Sequence, residues 1–233
     1  MKLLSRDTNT KLIKTAKGED EPVVLAGLSM MPNVELCPSS GIAECFDACL
    51  KESGLAQVYT SVNIARQRKT DYYMTDRSGF LGQLRRELTN LVKYAAKHGK
   101  RPIVRLNVLS DIAWEQHNIP QEFPEITFYD YTKRAKRLGK TPANYDLMFS
   151  YSAAPKYQTQ VKEALKTDAP ITVVFRGGLP TDFMGREVYD GDISDLTNLK
   201  QRGKIIGLRV KGNEAKKSTS PFIVDANLIA TGS

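Results

Sequence analysis

Residues 78–109 read SGFLGQLRRELTNLVKYAAKHGKRPIVRLNVL, and this stretch decides the fold. Apolar residues recur at intervals of three and four from Phe80 to Ala95, and Gly99 follows, so the spacing predicts a helix over 78–97. The run IVRLNVL at 103–109 has the length and composition of a strand. A helix followed directly by such a strand is typical of repeated β–α units around a parallel sheet.

The same alternation continues on both sides of this stretch. Strands are predicted at 23–30, 126–131, 146–151, 171–175 and 205–210, with a short strand at 57–60 and a short apolar piece at 222–224. Helices are predicted at 42–52, closed by Gly54, at 132–138 and at 156–166, with a polar stretch after residue 60 and a long loop at 179–204. About six such units predict an α/β fold, either a partial (β/α)6-type barrel or an open parallel sheet, in a single domain over 1–233.

Composition favours an ordered globular protein, with 41% hydrophobic and 26% charged residues. No apolar stretch resembles a signal peptide or a membrane span, so we expect no membrane partner and a cytoplasmic location. The net charge of +8 suggests nucleic acid as a partner. The basic residues are interspersed with acidic ones, and no known nucleic-acid-binding pattern accompanies them, so a solvated basic surface is the alternative.

Cys37, Cys45 and Cys49 are the three cysteines of the chain, and they lie within one short segment. An odd number of thiols in a reducing compartment favours metal ligation over disulfides. On a helix, Cys45 and Cys49 share a face, and the loop before them allows Cys37 to approach. Three thiolates without a fourth cysteine disfavour structural zinc. They favour a [4Fe–4S] cluster with one open iron, or a [3Fe–4S] cluster, with the cluster loop at 37–49.

In both architectures ligands bind at the carboxyl ends of the strands, where polar residues follow the predicted strands. Three of them are candidate catalytic residues. Lys133 and Arg176 would anchor a small anionic ligand, and Asp111 would act as a base or an orienting carboxylate. Further polar or aromatic residues at this rim are Ser110, Trp114, Glu115, Asp130, Tyr131, Ser150, Tyr151 and Ser152. The alternative is that strand ends are exposed and polar in any α/β fold.

Several motifs together resemble a family of phage-encoded proteins with three cysteines and a radical-SAM-like partial barrel. They are Asn9-x-Lys11-Leu12-x-Lys14, Gly27-Leu28-Ser29, Cys49-Leu50 with Gly54, Arg105-Leu106-Asn107-Val108-x-Ser110-Asp111-Ile112, Phe128-Tyr129-Asp130-Tyr131-Thr132-Lys133, Asn144-Tyr145, Ser150-Tyr151-Ser152, Asp190-Gly191-Asp192 and Gly207-Leu208. The resemblance implies an iron–sulfur cluster bound by the three cysteines, and a phage origin with a location in the infected bacterial host. It implies no particular reaction.

Radical SAM enzymes usually space their cysteines as CxxxCxxC with an aromatic residue before the last one, whereas Ala48 precedes Cys49 here. This departure argues against S-adenosylmethionine as a cofactor. The leading hypothesis is therefore an iron–sulfur protein with an open iron, with a radical-SAM-like enzyme as its catalytic form. The alternative is a nucleic-acid-associated phage factor in which the cluster is structural or redox-sensing.

Overall fold

The computed structural model describes residues 1–6, 21–46 and 60–229. Its strands are β1 (Leu4–Arg6), β2 (Val23–Leu28), β3 (Arg101–Arg105), β4 (Thr127–Thr132), β5 (Tyr145–Ser150), β6 (Ile171–Arg176), β7 (Asp182–Phe183), β8 (Arg186–Asp190), β9 (Ile205–Arg209) and β10 (Ile223–Asp225). Its α-helices are α1 (Thr60–Thr75), α2 (Arg77–Lys97), α3 (Ile119–Glu122), α4 (Gln158–Leu165), α5 (Asp195–Leu199), α6 (Asn213–Lys217) and α7 (Ala226–Ile229). Short 3₁₀ turns lie at Trp114–His117, Ala135–Arg137 and Pro155–Tyr157.

The ten strands form one open sheet in the order β1-β2-β3-β4-β5-β6-β9-β8-β7, with β10 paired to β6. Pairing is mostly parallel, and the antiparallel pairs are β1 with β2 and β7 with β8. The prediction of an α/β fold built on a parallel sheet is confirmed at this level, and the sheet is mixed rather than wholly parallel. None of the described helices is long and apolar enough to cross a membrane.

Residue contacts divide the chain into two compact units. Unit 1 contains Met1–Cys37, Leu55–Asp130 and Thr141–Asp146, and unit 2 contains Pro38–Gly54, Tyr131–Lys140 and Leu147–Ser233. The interpretation of the chain as a single domain stays a prediction.

The core of unit 1 is built on the helix that the sequence predicts best. Asp76 caps α2, because its Oδ1 accepts a hydrogen bond from the Gly79 amide at 2.9 Å. Five of the apolar residues at helical spacing are buried, namely Phe80, Leu84, Leu88, Leu91 and Ala95, and Leu81 and Val92 are half-buried. Gly99 follows with φ +60°, the left-handed conformation that ends many helices. The structure thus confirms this helix within one residue of its predicted start.

Helix α1 is absent from the sequence prediction, which gave a polar stretch after residue 60. Its buried residues are Lys69, Thr70 and Tyr73, so its inner face is largely polar. Lys69 Nζ donates to the Leu3 carbonyl at 2.7 Å, and Thr70 Oγ1 donates to the Met31 carbonyl at 2.9 Å. A helix held by hydrogen bonds to neighbouring backbone has no apolar period to recognise. The predicted strand at 57–60 lies outside the described residues, apart from Thr60, which begins α1.

Unit 2 corrects three further predictions. The predicted loop at 179–204 contains β7, β8 and α5. The predicted helix at 132–138 is wrong, because β4 continues to Thr132 and only the 3₁₀ turn Ala135–Arg137 follows. The predicted helix at 42–52 does not begin at Ile42, where the chain forms turns, and its remainder from 47 onward lies outside the described residues. The short apolar piece at 222–224, for which no strand was predicted, contributes Ile223 and Val224 to β10.

Candidate functional site

In unit 1, Cys37 lies beside the loop that follows strand β3. Asn33 stabilises the turn before Cys37, because its side-chain oxygen accepts from the Leu36 amide at 2.8 Å and its carbonyl accepts from the Cys37 amide at 2.9 Å. The Leu36 carbonyl then accepts from the Asp111 amide at 2.8 Å. Cys37 Sγ is 3.6 Å from the Leu109 carbonyl oxygen, a weak S–H contact. The half-buried thiol is thereby held at the carboxyl side of β3.

Asn107 organises this loop, and sequence analysis did not single it out as a site residue. It is 2% exposed, and its Oδ1 accepts three hydrogen bonds, from Ser110 Oγ at 2.8 Å, the Ile112 amide at 2.9 Å and Trp114 Nε1 at 3.1 Å. Its Nδ2 donates to the Ile112 carbonyl at 2.9 Å. The side chain therefore replaces backbone pairing across the turn, which explains why β3 ends at Arg105 instead of continuing to 109.

Asp130 completes the same buried network at the end of β4. The carboxylate is fully buried and accepts from the Asn107 amide at 2.7 Å, from Asn107 Nδ2 at 3.1 Å and from the Tyr145 hydroxyl at 2.9 Å. Trp114 is fully buried, and Asp111 is 6% exposed. A buried carboxylate stabilised by several donors is a rigid structural element. Three of the predicted rim residues, Ser110, Trp114 and Asp130, thus join one network around Asn107.

His117, one of the two histidines of the chain, also belongs to unit 1. Its Nε2 lies 3.0 Å from the Tyr73 hydroxyl. Burial lowers the pKa of His117, and the positive charges of Arg77 and Arg85 lower it further. The neutral ring is the form that accepts the Tyr73 hydrogen bond.

In unit 2, Cys45 lies near the end of a tight loop, residues 38–46, that we call the cysteine loop. The loop folds on itself, because the Ala43 amide donates to the Ser39 carbonyl at 3.0 Å and the Cys45 amide donates to the Ser40 carbonyl at 3.3 Å. Glu44 adopts φ +49°, which turns the chain sharply before Cys45. The Cys45 thiol is half-buried and lies 3.8 Å from the Ser40 carbonyl oxygen.

Ser152 places the cysteine loop just past the carboxyl end of β5. Its hydroxyl is fully buried and donates to the Ala43 carbonyl at 2.7 Å. On the other side, the Ser220 hydroxyl donates to the Glu44 carbonyl. An open pocket of about 400 Å³ lies here. It is lined by Ser40, Gly41, Glu44, Phe46, Ser218, Thr219, Ser220 and Pro221.

Lys133 and Arg176 also belong to unit 2, where each contacts neighbouring polar groups. Lys133 Nζ donates to Ser150 Oγ at 2.8 Å and lies 4.5 Å from the centre of the Phe222 ring. Arg176 ends β6, and its Nη2 donates to the Ser218 carbonyl. The structure therefore places Asp111 in unit 1 and the two predicted anion-binding cations in unit 2.

The third cysteine, Cys49, lies outside the described residues. Among residues 1–6, 21–46 and 60–229, no group of three or more His, Cys, Asp or Glu side chains is arranged to hold a metal ion. Cys37 and Cys45 supply two thiols of the chemistry that iron–sulfur clusters require. The predicted ligand set can be completed only by a residue beyond those described.

These features define the class of protein: a mixed α/β protein with an open, mostly parallel sheet, whose half-buried thiols and buried polar residues follow the carboxyl ends of parallel strands. The family model described as gene product 88 matches residues 2–226, and the chain therefore belongs to the gene product 88 family, a phage protein family. The expected phage family is thereby confirmed, and its iron–sulfur character stays a prediction. No curated protein and no solved structure gives a significant match.

Proposed function

We propose that the protein binds an iron–sulfur cluster through Cys37, Cys45 and Cys49. One observation supports the proposal most directly. Cys37 lies beside the loop after β3 in unit 1, and the loop of Cys45 is bonded to Ser152, just past the end of β5 in unit 2. Carboxyl ends of parallel strands are where α/β proteins bind ligands and cofactors. Both described thiols are half-buried, as is suitable for ligands that must remain accessible to a metal.

Three thiolates suit a [4Fe–4S] cluster with one open iron, or a [3Fe–4S] cluster, which supplies electron transfer or Lewis-acid chemistry when bound. The loops that carry Cys37 and Cys45 are held by backbone hydrogen bonds, so their thiols need little ordering on ligation. Asp111, Lys133 and Arg176 are the proposed polar residues for a substrate. S-adenosylmethionine is not part of the proposal, and the radical-SAM-like character of the fold stays a prediction. We propose that the protein acts in the cytoplasm of the infected bacterium.

Oxygen-free purification followed by absorption, iron and sulfide analysis and electron paramagnetic resonance tests the cluster. The wild-type protein should absorb near ~400 nm through thiolate-to-iron charge transfer and contain about three or four irons per chain. The variants C37A, C45A and C49A should each lose most of the band and the iron. E35Q is the matched control, because Glu35 is an exposed side chain in the same segment as Cys37.

Two results would contradict the cluster. The first is folded, colourless and iron-free wild-type protein, even after reconstitution with ferrous iron and sulfide. The second is an iron content that the three cysteine variants and E35Q retain equally, since that iron would not be bound by thiolates.

A second candidate, nucleic-acid binding, is favoured by exposed cations on one part of unit 2. The 3₁₀ turn Ala135–Arg137 packs against α4. Lys136 and Lys140 are exposed at this turn, and Lys162 is exposed on the helix. Arg137 is buried and its Nη1 is 3.3 Å from Thr132 Oγ1, so it holds the turn and does not face solvent.

Binding to DNA should then weaken steeply as salt rises, because each phosphate contact releases counterions. A K136Q/K140Q/K162Q variant should bind DNA several-fold more weakly than the control K100Q does. Lys100 lies just after α2 in unit 1. Absence of retention on DNA or heparin at low salt would remove this candidate.

A further inference from the structure

Strand β6 continues past the end of β5, and a later segment pairs with the edge of β6 that β5 leaves. β5 pairs with β6 at Phe149–Ile171 and Ser150–Thr172. Beyond that point β10 takes over the same edge, pairing Asp225 with Arg176 at its end, while β9 pairs along the opposite edge. We call the space beyond the end of β5 the crevice; it lies at the carboxyl ends of parallel strands, where α/β proteins bind ligands.

The segment that fills the crevice, residues 218–225, covers two cations with uncharged groups. The Ser218 carbonyl accepts from Arg176 Nη2, and the Phe222 ring lies 4.5 Å from Lys133 Nζ. The Nε of Arg176 is buried and has no hydrogen-bond partner among the described residues. A buried donor without an acceptor is costly, and an oxyanion would satisfy it more strongly than a carbonyl does.

The same segment buries little apolar surface. From Ser218 to Ile229 no described residue is buried, whereas Ile171, Thr172, Val173 and Phe175 of β6 are buried. Its anchors are the short ladder of β10 with β6 and two polar contacts: the Ala153 amide donates to the Pro221 carbonyl at 2.9 Å, and the Ser220 hydroxyl donates to the Glu44 carbonyl. Segments with few buried apolar contacts open at a small fraction of the global free energy of unfolding.

We propose that Lys133 and Arg176 form an anion-binding site in unit 2, which residues 218–225 occupy until a ligand displaces them. The groups that cover the two cations are four residues apart on one stretch of backbone. Two cations suit a ligand with two anionic groups, of the phosphate or carboxylate class. When the ligand binds, the two cations exchange their contacts with a carbonyl and an aromatic ring for charge-assisted hydrogen bonds. Because the ligand has a higher affinity for the open state, it shifts the segment to that state. The inference does not depend on the iron–sulfur cluster.

Hydrogen exchange and calorimetry on the full chain test the site with two probes, pyrophosphate and citrate, against chloride at the same ionic strength. Binding should raise amide exchange in 218–225 by about tenfold or more, and the preferred probe identifies the ligand class. R176Q and K133Q should each weaken binding by at least about tenfold. The matched controls are R202Q, whose arginine is half-exposed and pairs with Asp168, and K166Q, whose lysine is exposed and pairs with Glu163.

F222A gives the complementary result, because it removes the ring that competes for Lys133. It should bind the preferred probe several-fold more tightly than wild type does, with higher exchange in 218–225 before any probe is added. Far-UV circular dichroism confirms that each variant is folded.

Three outcomes would overturn the proposal, and the first two need no variant. They are absence of binding at millimolar probe, binding that protects 218–225 from exchange instead of exposing it, and equal affinity of R176Q and R202Q.

Discussion

Replacement of Asn107 by alanine tests whether one buried side chain holds the loop that supports Cys37. The Asn107 oxygen accepts from the Ile112 amide, the Trp114 indole and the Ser110 hydroxyl, at 2.9, 3.1 and 2.8 Å. In N107A the hydroxyl can rotate to another acceptor, whereas the amide and the indole N–H cannot. All of these groups are buried, so water cannot replace the lost acceptor without opening the loop.

The expected loss follows from the two stranded donors. Each buried donor left unsatisfied costs about 1–3 kcal/mol, so the pair costs about 2–6 kcal/mol. Asp130 also loses the hydrogen bond from Asn107 Nδ2, which is 3.1 Å long. Against a typical total stability of about 5–15 kcal/mol, such a loss is large enough to measure by denaturant unfolding.

Trp114 is the only tryptophan of the chain, and its indole bonds directly to Asn107. Its emission in urea therefore follows unit 1, and far-UV circular dichroism follows the whole chain. N90A is the matched control, because Asn90 is exposed on α2. If N107A lost less than about 1 kcal/mol relative to N90A, the network would not be the support that its hydrogen bonds indicate. A second readout is the thiol of Cys37, which should react faster with a maleimide in N107A.

Three other perturbations have defined outcomes. K69M should change the free energy of unfolding at neutral pH by less than about 2 kcal/mol, because it exchanges the desolvation cost of a buried ammonium for the loss of the Leu3 hydrogen bond; a loss above about 4 kcal/mol in urea would contradict this. The lowered pKa of His117 means that the unfolded chain binds more protons below about pH 6.5, so stability should fall as pH drops through that value towards the folded pKa. H117N should flatten this part of a stability–pH profile, and an unchanged profile would show that another group causes it. N144A should cost about 2–4 kcal/mol in urea, since Asn144 Nδ2 donates to the carbonyls of Pro120, Phe123 and Ile126 at 2.9–3.0 Å; a thermal midpoint equal to that of N90A would refute this.

The parts of the fold that sequence predicts are those in which an apolar period coincides with burial. Helix α2 buries five residues of its apolar stripe, and β2 is buried from Val24 to Leu28. In such segments burial of apolar surface is the main favourable free energy, so the pattern that drives folding is also the one visible in the sequence. Predicted strand positions were accordingly close to the observed ones at β2, β4, β5, β6 and β9.

Segments stabilised by polar contacts or by unusual turns were missed for a physical reason. The β7–β8 hairpin turns at Met184 and Gly185, with φ +54° and +72°. Asn-Gly and Asp-Gly are the usual sequence signals for such a turn, and Met-Gly is not one of them. Strand β8 is half-exposed and charged, so it offers no apolar run either. Strand β7 pairs only within this hairpin among the described residues, and β8 also pairs with β9, which begins at Ile205.

In the candidate site, too, some residues could be predicted from the sequence and others could not. The sequence identified the strand-end positions of Ser110, Asp130, Lys133 and Arg176, because the ends of predicted strands can be located from apolar runs. It did not identify Asn107, since an asparagine after a strand has the same local pattern whether it is buried or solvated. Only the positions of Asp130 and Trp114 make its amide the centre of a network.

The metal hypothesis now depends on a single residue. Among the described residues no three potential ligands are grouped, so neither Cys37 nor Cys45 belongs to a complete site formed from those residues alone. The cluster proposed for this chain needs three cysteine thiolates. Besides Cys37 and Cys45, the chain contains one further cysteine, Cys49. Cys49 must therefore be a ligand if the cluster exists. It follows that C49A tests the hypothesis directly, because without Cys49 the chain has only the two thiols of Cys37 and Cys45.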